Sequence, residues 1–171
     1  MSLNLINNDK KTANFNSENF PKDHPLMECL GTIDELNAFL GDAKSALADS
    51  TALSTIIEDI QKELYVVSGI IAGSPGQIPC IEKINRLISE IESKLPAAPS
   101  NFVVPGVNKV SAKLHICRTV CRRAERRLIS HDTYKIISQE NYNEILAWFN
   151  KLSHLLFLLA IYCTFQKNYH E

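Results

Sequence analysis

Apolar residues recur with the period of an α-helix along most of the chain, and no segment alternates in the manner of a β-strand. Two sequences typical of helix N-termini, Thr32-x-x-Glu35 and Asn141-x-x-Glu144, precede the first and last periodic segments. Clusters of proline and glycine separate several of the periodic segments. The pattern predicts five helices, near residues 32–48, 51–72, 81–95, 109–130 and 141–167.

The segments outside this pattern are predicted to be irregular. Residues 1–30 have no helical period, are rich in asparagine and contain two prolines, so we expect an N-terminal arm there. A second break, 96–106, holds three prolines and an apolar run that begins at Phe102. We therefore predict a single all-α domain over 1–171, with the arm followed by an antiparallel five-helix bundle over 31–167.

The composition fits a soluble protein that buries one core. The chain has 171 residues, 45% of them apolar, and a formal net charge of −1, which gives no broad attraction to nucleic acid or to an anionic membrane. The longest apolar run, Leu155–Cys163, is about half of what a bilayer requires, and the N-terminus has no signal-peptide pattern. Five cysteines without a CxxC pair predict reduced thiols, a cytoplasmic location and no metal site.

The fourth predicted helix carries most of the candidate chemistry. On a helical wheel its apolar residues form one face, and a polar stripe lies beside that face. The stripe consists of His115, Arg118, Arg122, Glu125 and Arg126, whereas Arg123 and Arg127 are expected to point farther toward solvent. Guanidinium groups suit phosphate oxygens because each presents a planar fork of donors. A solvated face with Arg/Glu pairs one turn apart is the alternative that the wheel leaves open.

The first predicted helix offers a matching margin. Asp34, Asn37 and Gly41 lie together at the edge of its apolar face, and Gly41 permits the close approach of a neighbour or ligand. Arg118 is expected to be partly desolvated at the edge of its own helix, and it therefore needs a partner. We expect Asp34 to pair with it.

Four segments, taken in order, resemble the PduO-type ATP:corrinoid adenosyltransferases. They are GTIDELNAFLG at 31–41, FVVPG at 102–106, LHICRTVCRRAERRL at 114–128 and FNKLSHLLFLLA at 149–160. The resemblance extends from about Pro21 to Cys163. It implies a ferritin-like five-helix subunit that assembles as a homotrimer, with active sites between neighbouring subunits.

The resemblance also implies a reaction. In this family a cob(I)alamin nucleophile attacks C5′ of ATP, which forms a cobalt–carbon bond and expels triphosphate. The protein then has to position the substrates and stabilise the charge of the leaving group. ATP and cobalamin are substrates, and Mg²⁺ accompanies ATP. A flavoprotein reductase that delivers electrons and an adenosylcobalamin-dependent acceptor enzyme are implied as partners.

The family motifs assign roles to individual residues of this chain. The predicted catalytic set is Arg122, which contacts the phosphates, with Arg118 and Asp34 holding the geometry of the site. The predicted ATP-binding set is Lys22, Arg122, Arg123, Glu125, Arg126 and Asn150. The predicted cobalamin-binding set is Phe102, Asn37 and His115. In the family the phenylalanine lies beneath the corrin ring and excludes a lower axial ligand. From the residues alone, a loop plug for Phe102 and a helix-packing role for His115 are the alternatives.

Other positions depart from the family pattern. The glycine- and threonine-rich N-terminal loop that wraps the ATP phosphates in the family has no counterpart, since no glycine precedes Gly31. The family's Leu-Ser-Asp reads Leu152-Ser153-His154, and an arginine of the fifth helix is replaced by Ile161. Three functions remain open: an active adenosyltransferase, a non-catalytic relative that binds a corrinoid or nucleotide as carrier or sensor, and a purely structural bundle.

Overall fold

Five helices form a bundle in the described part of the computed structural model, and a short antiparallel hairpin precedes them. The structure describes residues 11–13, 19–47, 52–96, 103–130 and 137–165. The elements, in chain order, are β1 (Lys11–Ala13), β2 (Asn19–Pro21), α1 (Pro25–Ser45), α2 (Ala52–Ile71), α3 (Ile81–Lys94), α4 (Lys109–Ser130) and α5 (Gln139–Phe165). The all-α fold class predicted from the hydrophobic period is confirmed.

Helix α1 begins earlier than the sequence analysis predicts. His24 is its N-cap, where its Nδ1 accepts a hydrogen bond from the Leu26 amide at 3.2 Å, and Pro25 occupies the first turn, where a missing amide hydrogen costs nothing. Thr32 lies inside the helix, and its hydroxyl donates to the Glu28 carbonyl at 2.6 Å. The predicted capping box at Thr32 is therefore wrong. The last part of the predicted irregular arm is therefore helical. Its start at Pro25 and its cap at His24 are local features that an apolar repeat does not reveal.

The hairpin replaces another part of the predicted irregular arm. β1 and β2 pair with Thr12 opposite Phe20. Phe20 packs against the edge of the core, and its ring centre lies 4.8 Å from that of His24, the residue that caps α1. Because each strand has three residues, neither is long enough to show alternation in the sequence.

Helix α5 also has a different cap from the predicted one. It begins at Gln139, so Asn141 lies in its first turn. The Ser138 hydroxyl accepts a hydrogen bond from the Asn141 amide at 3.2 Å and serves as the cap instead. The predicted end of this helix, near Lys167, lies outside the described residues.

Helix α4 packs between α1 and α5, while α2 packs against α1 and α3 against α5. Two ion pairs fix the direction of α4 relative to α1. Arg127 near the end of α4 lies 3.5 Å from Glu28 at the start of α1, and Lys113 near the start of α4 lies 2.5 Å from Asp42 near the end of α1. These two helices are therefore antiparallel, as predicted.

One continuous cluster of buried side chains draws residues from all five helices. Its largest fully buried members include Trp148 and Phe149, whose rings meet edge to face with their centres 5.3 Å apart. The apolar face predicted for α4 is confirmed. Its buried members are Val110, Leu114, Cys117, Val120, Cys121, Ala124 and Leu128.

Helix α5 is long and apolar enough to cross a membrane by length and composition alone. Of its most apolar 18-residue window, 61% is buried inside the bundle. This burial fits the prediction of a core helix.

Candidate functional site

The arginines of α4 divide between the two flanks of the helix. Arg123 and Arg127 reach α1, where Arg123 pairs with Glu35 and Arg127 pairs with Glu28. Both side chains remain partly exposed, at 39% for Arg123 and 49% for Arg127, as expected for arginines that point toward solvent. Helix α1 packs along that flank and presents carboxylates to them. These ion pairs connect α4 to α1, whereas the alternative left open by the helical wheel was pairing between adjacent turns of α4. A wheel of α4 alone does not show contacts with another helix.

The other flank of α4 borders a depression that it shares with α5. The depression has a volume of about 340 Å³, and its described lining consists of Arg118, Arg122, Asn150, Ser153, His154 and Phe157. The four α5 residues lie on one face because they are spaced three or four positions apart. The described lining holds two permanent cations and no carboxylate, so it suits an anionic ligand. Three predicted site residues, Arg118, Arg122 and Asn150, are brought together here.

Arg118 lies against an aromatic ring. Its guanidinium carbon is 5.9 Å from the centre of the Phe157 ring, within the range of a cation–π contact. Its Nε is buried and has no hydrogen-bond partner among the described residues. Within the described part of the chain, the ion pairs engage neither Arg118 nor Arg122. Both guanidinium groups are therefore available to an anion.

Two polar residues of α5 complete the depression. Ser153 is 6% exposed, and its hydroxyl donates to the Asn150 carbonyl at 2.9 Å. His154 is exposed at the rim, and its Nε2 lies 3.7 Å from Glu92 on α3. No site role is predicted from the sequence for Ser153, His154 or Phe157. Their spacing from Asn150 on one helix was the available signal.

His115 is packed beside the same phenylalanine. It is 4% exposed, its ring centre lies 6.3 Å from that of Phe157, and neither ring nitrogen has a hydrogen-bond partner among the described residues. Burial lowers the pKa of His115, and the positive charge of Arg118 lowers it further, so the neutral imidazole is favoured. The packing role is supported, and contact with cobalamin stays a prediction.

Two other predicted site residues lie on α1, away from the depression. Asn37 is 4% exposed at the contact with α2, where it and Gln61 each donate a side-chain amide to the backbone carbonyl of the other, at 3.4 and 3.1 Å. The close neighbour expected at Gly41 is the same Gln61 amide, which lies 3.4 Å from where a Cβ would be. Asp34 is exposed and forms no ion pair with Arg118 within the described residues. The expected Asp34–Arg118 pair is therefore not formed among the described residues of the chain.

The remaining predicted residues are spread over the surface. Lys22 is exposed in the turn after β2, and Glu125 is half-buried on α4. Arg126 borders a second depression, of about 320 Å³, together with Arg123 and Arg127. Phe102 lies outside the described residues, so its predicted place beneath a corrin ring stays a prediction.

Within the described residues, no group of three or more His, Cys, Asp or Glu side chains is placed to hold a metal ion. Cys117 and Cys121, one turn apart on α4, are buried free thiols of the core. Their predicted role as core residues is confirmed.

The model of the cobalamin adenosyltransferase family matches residues 7–163 of the chain. The chain belongs to this family. The corrinoid adenosyltransferase of Bacillus subtilis is 31% identical over 151 residues, which cover 81% of this chain and 74% of that relative. The corrinoid adenosyltransferase PduO of Salmonella typhimurium is 32% identical over 158 residues, which cover 87% of this chain and 45% of the relative. This chain therefore spans about half the length of that PduO protein.

A solved structure shares the fold. It is a variant of the PduO-type ATP:corrinoid adenosyltransferase from Lactobacillus reuteri, complexed with cobalamin and ATP. The two chains superpose with a TM-score of 0.83 at 25% identity, over 96% of this chain and 91% of that chain. The predicted family is confirmed, and so is the helical bundle that the resemblance implied.

Proposed function

We propose that the protein is an ATP:corrinoid adenosyltransferase, which transfers the 5′-deoxyadenosyl group of ATP to the cobalt of cob(I)alamin and releases triphosphate. The observation that carries this proposal is the depression between α4 and α5. There Arg118 and Arg122 of the family motif lie beside Asn150, and neither forms an ion pair with a carboxylate of the described residues. The relatives support the chemistry, since they are named corrinoid adenosyltransferases.

In the proposed reaction the two electrons of the new cobalt–carbon bond come from Co(I). The bond between C5′ and the triphosphate oxygen breaks, and its electron pair leaves with the triphosphate. Arg122 stabilises this growing negative charge, because a guanidinium donor that is already in place needs no reorganisation during the reaction. Arg118 holds the geometry of the site. Phe157 restrains Arg118, and the side-chain amide of Asn150 donates to an oxygen of the nucleotide.

Other predicted residues enter the proposal from outside the depression. We propose that the nucleotide also contacts Lys22, Arg123, Glu125 and Arg126. Because Arg123 forms an ion pair with Glu35, ATP has to compete with this carboxylate for it. Mg²⁺ is proposed to arrive bound to the ATP phosphate oxygens, in keeping with its preference for a few protein ligands plus substrate phosphates.

We further propose that the protein is a homotrimer with its sites between subunits. The depression is open to solvent, and Arg118 lacks a carboxylate partner among the described residues of its own subunit. Asp34 is exposed on α1. A pair between Asp34 of one subunit and Arg118 of the next would satisfy both groups. Light scattering after gel filtration tests the trimer, and a monomeric mass for the full chain would refute it.

The corrinoid side of the site rests on the family resemblance. Phe102, Asn37 and His115 are proposed to face cobalamin, although Asn37 and His115 are both buried in the single subunit. A cytoplasmic location, a flavoprotein reductase and an adenosylcobalamin-dependent acceptor enzyme belong to the same proposal.

An anaerobic assay tests the proposed activity. Cobalamin is reduced to Co(I), ATP and Mg²⁺ are added, and adenosylcobalamin is followed by its visible spectrum with and without the protein. We expect turnover above the protein-free blank and its loss in Arg122→Ala. Arg86→Ala is the matched control, because it removes an exposed arginine of α3 outside the α4–α5 depression. No turnover by the full chain would overturn the proposal.

A non-catalytic relative is the second candidate, and the missing glycines before Gly31 favour it. Backbone amides of a glycine-rich loop approach phosphates closely, which other residues disfavour. This candidate predicts no turnover but a shifted spectrum when Co(II) cobalamin binds. If the protein shows no turnover and no ligand-dependent change in the spectrum, the purely structural bundle is the remaining candidate.

A further inference from the structure

His154 differs from the rest of the described lining of the α4–α5 depression. Arg118 and Arg122 are charged at every relevant pH, whereas an imidazole gains or loses its charge near neutrality. His154 lies one turn after Asn150 and about one turn before Phe157 on α5, so it shares their face. The site therefore contains one group whose charge is able to respond to the ligand.

A carboxylate stands on the other side of His154. Its Nε2 lies 3.7 Å from Glu92 on α3, and the two side chains are 51% and 52% exposed. Its Nδ1 has no hydrogen-bond partner within the described part of the chain. A carboxylate next to one ring nitrogen orients the ring, which leaves the second nitrogen available to a ligand.

His154 lies between charges of both signs, with Glu92 on one side and Arg118 and Arg122 on the other. A bound polyphosphate carries several negative charges and would lie beside the imidazole. Binding of such an anion should therefore be coupled to protonation of the imidazole.

We propose that His154 is a further polyphosphate-binding residue of this site, and that Glu92 is the positioning residue that holds its ring. This inference rests on the proposed function, since it takes the triphosphate part of ATP as the ligand. His154 donates a charge-assisted hydrogen bond to a phosphate oxygen when it is protonated. Anion binding is then tighter at low pH than at high pH, and it takes up a proton.

Calorimetry with inorganic tripolyphosphate tests the proposal on the full chain. The dissociation constants of the unmodified protein and His154→Gln are compared at about pH 6 and about pH 8.5. The titration of the ligand itself cancels in the ratio of the two constants at each pH. We expect His154→Gln to bind about fivefold more weakly at the lower pH and equally well at the higher one. Lys151→Gln removes an exposed charge from α5 outside the described lining, and it should bind tripolyphosphate as tightly as the unmodified protein at both pH values.

Two further variants separate the possible failures. Glu92→Gln should weaken tripolyphosphate binding at the lower pH and leave it unchanged at the higher pH, because the charged imidazole loses the carboxylate that holds its ring. A purely structural role of Glu92 would give the same change at both pH values. Binding that is lost in Arg122→Ala but unaffected by His154→Gln at both pH values would refute this inference and keep the proposed function. Equal weakening at both pH values would also refute it, as expected if His154 contacts an uncharged corrinoid amide. No binding of tripolyphosphate or MgATP by the unmodified protein would refute both.

Discussion

The guanidinium carbon of Arg118 lies 5.9 Å from the centre of the Phe157 ring, and the ring of His115 lies 6.3 Å from that same ring. One phenylalanine of α5 thus contacts a permanent cation and a buried imidazole of α4. Arg118 has no carboxylate partner among the described residues, so the aromatic contact is the one that restrains its head group. The position of this cation therefore depends on helix packing as well as on charge.

Phe157→Leu should weaken the binding of MgATP by about two- to fivefold. A cation–π contact at an exposed site contributes about 0.5–1 kcal/mol, and leucine keeps most of the apolar volume without the ring. Calorimetric titration with MgATP measures the change. Phe165→Leu is the control, because Phe165 is a 56% exposed aromatic residue near the end of the same helix. Equal affinities for Phe157→Leu and the unmodified protein would show that the ring does not restrain Arg118.

The core face of α4 should control stability far more than its outer face does. Leu114 is fully buried, whereas Ile116 on the same helix is 43% exposed. We expect Leu114→Ala to lower the free energy of unfolding by about 2–5 kcal/mol, since it leaves a cavity in the packed core. Ile116→Ala should change it by about 0.5 kcal/mol or less in the isolated chain. Urea denaturation measures both, and similar losses would contradict the assigned orientation of α4.

The ion pair between Arg127 and Glu28 should contribute little to folding. Both side chains are about half exposed, at 49% and 53%, and the separation is 3.5 Å. A double-mutant cycle with Arg127→Ala and Glu28→Ala should give a coupling of about 0.2–1 kcal/mol, and added salt should reduce it. A larger coupling that persists in high salt would mean that the pair is buried in the protein in solution.

The sequence predicts α4 and its faces well because 22 residues of regular amphipathic pattern leave little choice of register. The sequence does not predict side-chain contacts that depend on the packing of another helix. Arg123 lies on the polar side of the wheel, and only the packing of α1 shows that Glu35 meets it. The start of α1 was missed for a local reason, since the cap at His24 is made by an uncommon capping residue and precedes any apolar repeat.

The sequence predicts only those residues of the candidate site that belong to a motif within one helix. The family motifs gave Arg122 and Asn150, which the structure places in one depression. Phe157 and His154 belong to that depression through the crossing of α4 and α5, which no single helical pattern contains. Asn37 shows the opposite outcome, because the side-chain nitrogen of this helix-margin residue donates to Gln61 of a neighbouring helix.

One thiol per chain should react quickly in the native protein. Burial raises the pKa of the Cys29, Cys117 and Cys163 thiols to about 12, and burial raises that of Cys121 as well. Cys80 is the exposed member of the five free cysteines. An aromatic disulfide reagent at about pH 8 should modify one thiol in the native state and five in denaturant. Cys80→Ser should remove the fast reaction, and a fast phase that survives in this variant would show that the core opens.

His115 should make the protein less stable in mild acid. Its pKa is lowered in the folded state, first by burial and then by Arg118, so the unfolded chain binds more protons as the pH falls through about 6.5. The free energy of unfolding therefore rises with pH in this range and falls on acidification. Urea denaturation at about pH 7.5 and about pH 5.5 measures the difference, which should be smaller in His115→Leu. The matched control is His154→Gln, which replaces an exposed histidine and should keep most of the pH dependence. If His115→Leu shows the same slope as the unmodified protein, the buried neutral imidazole is not its source.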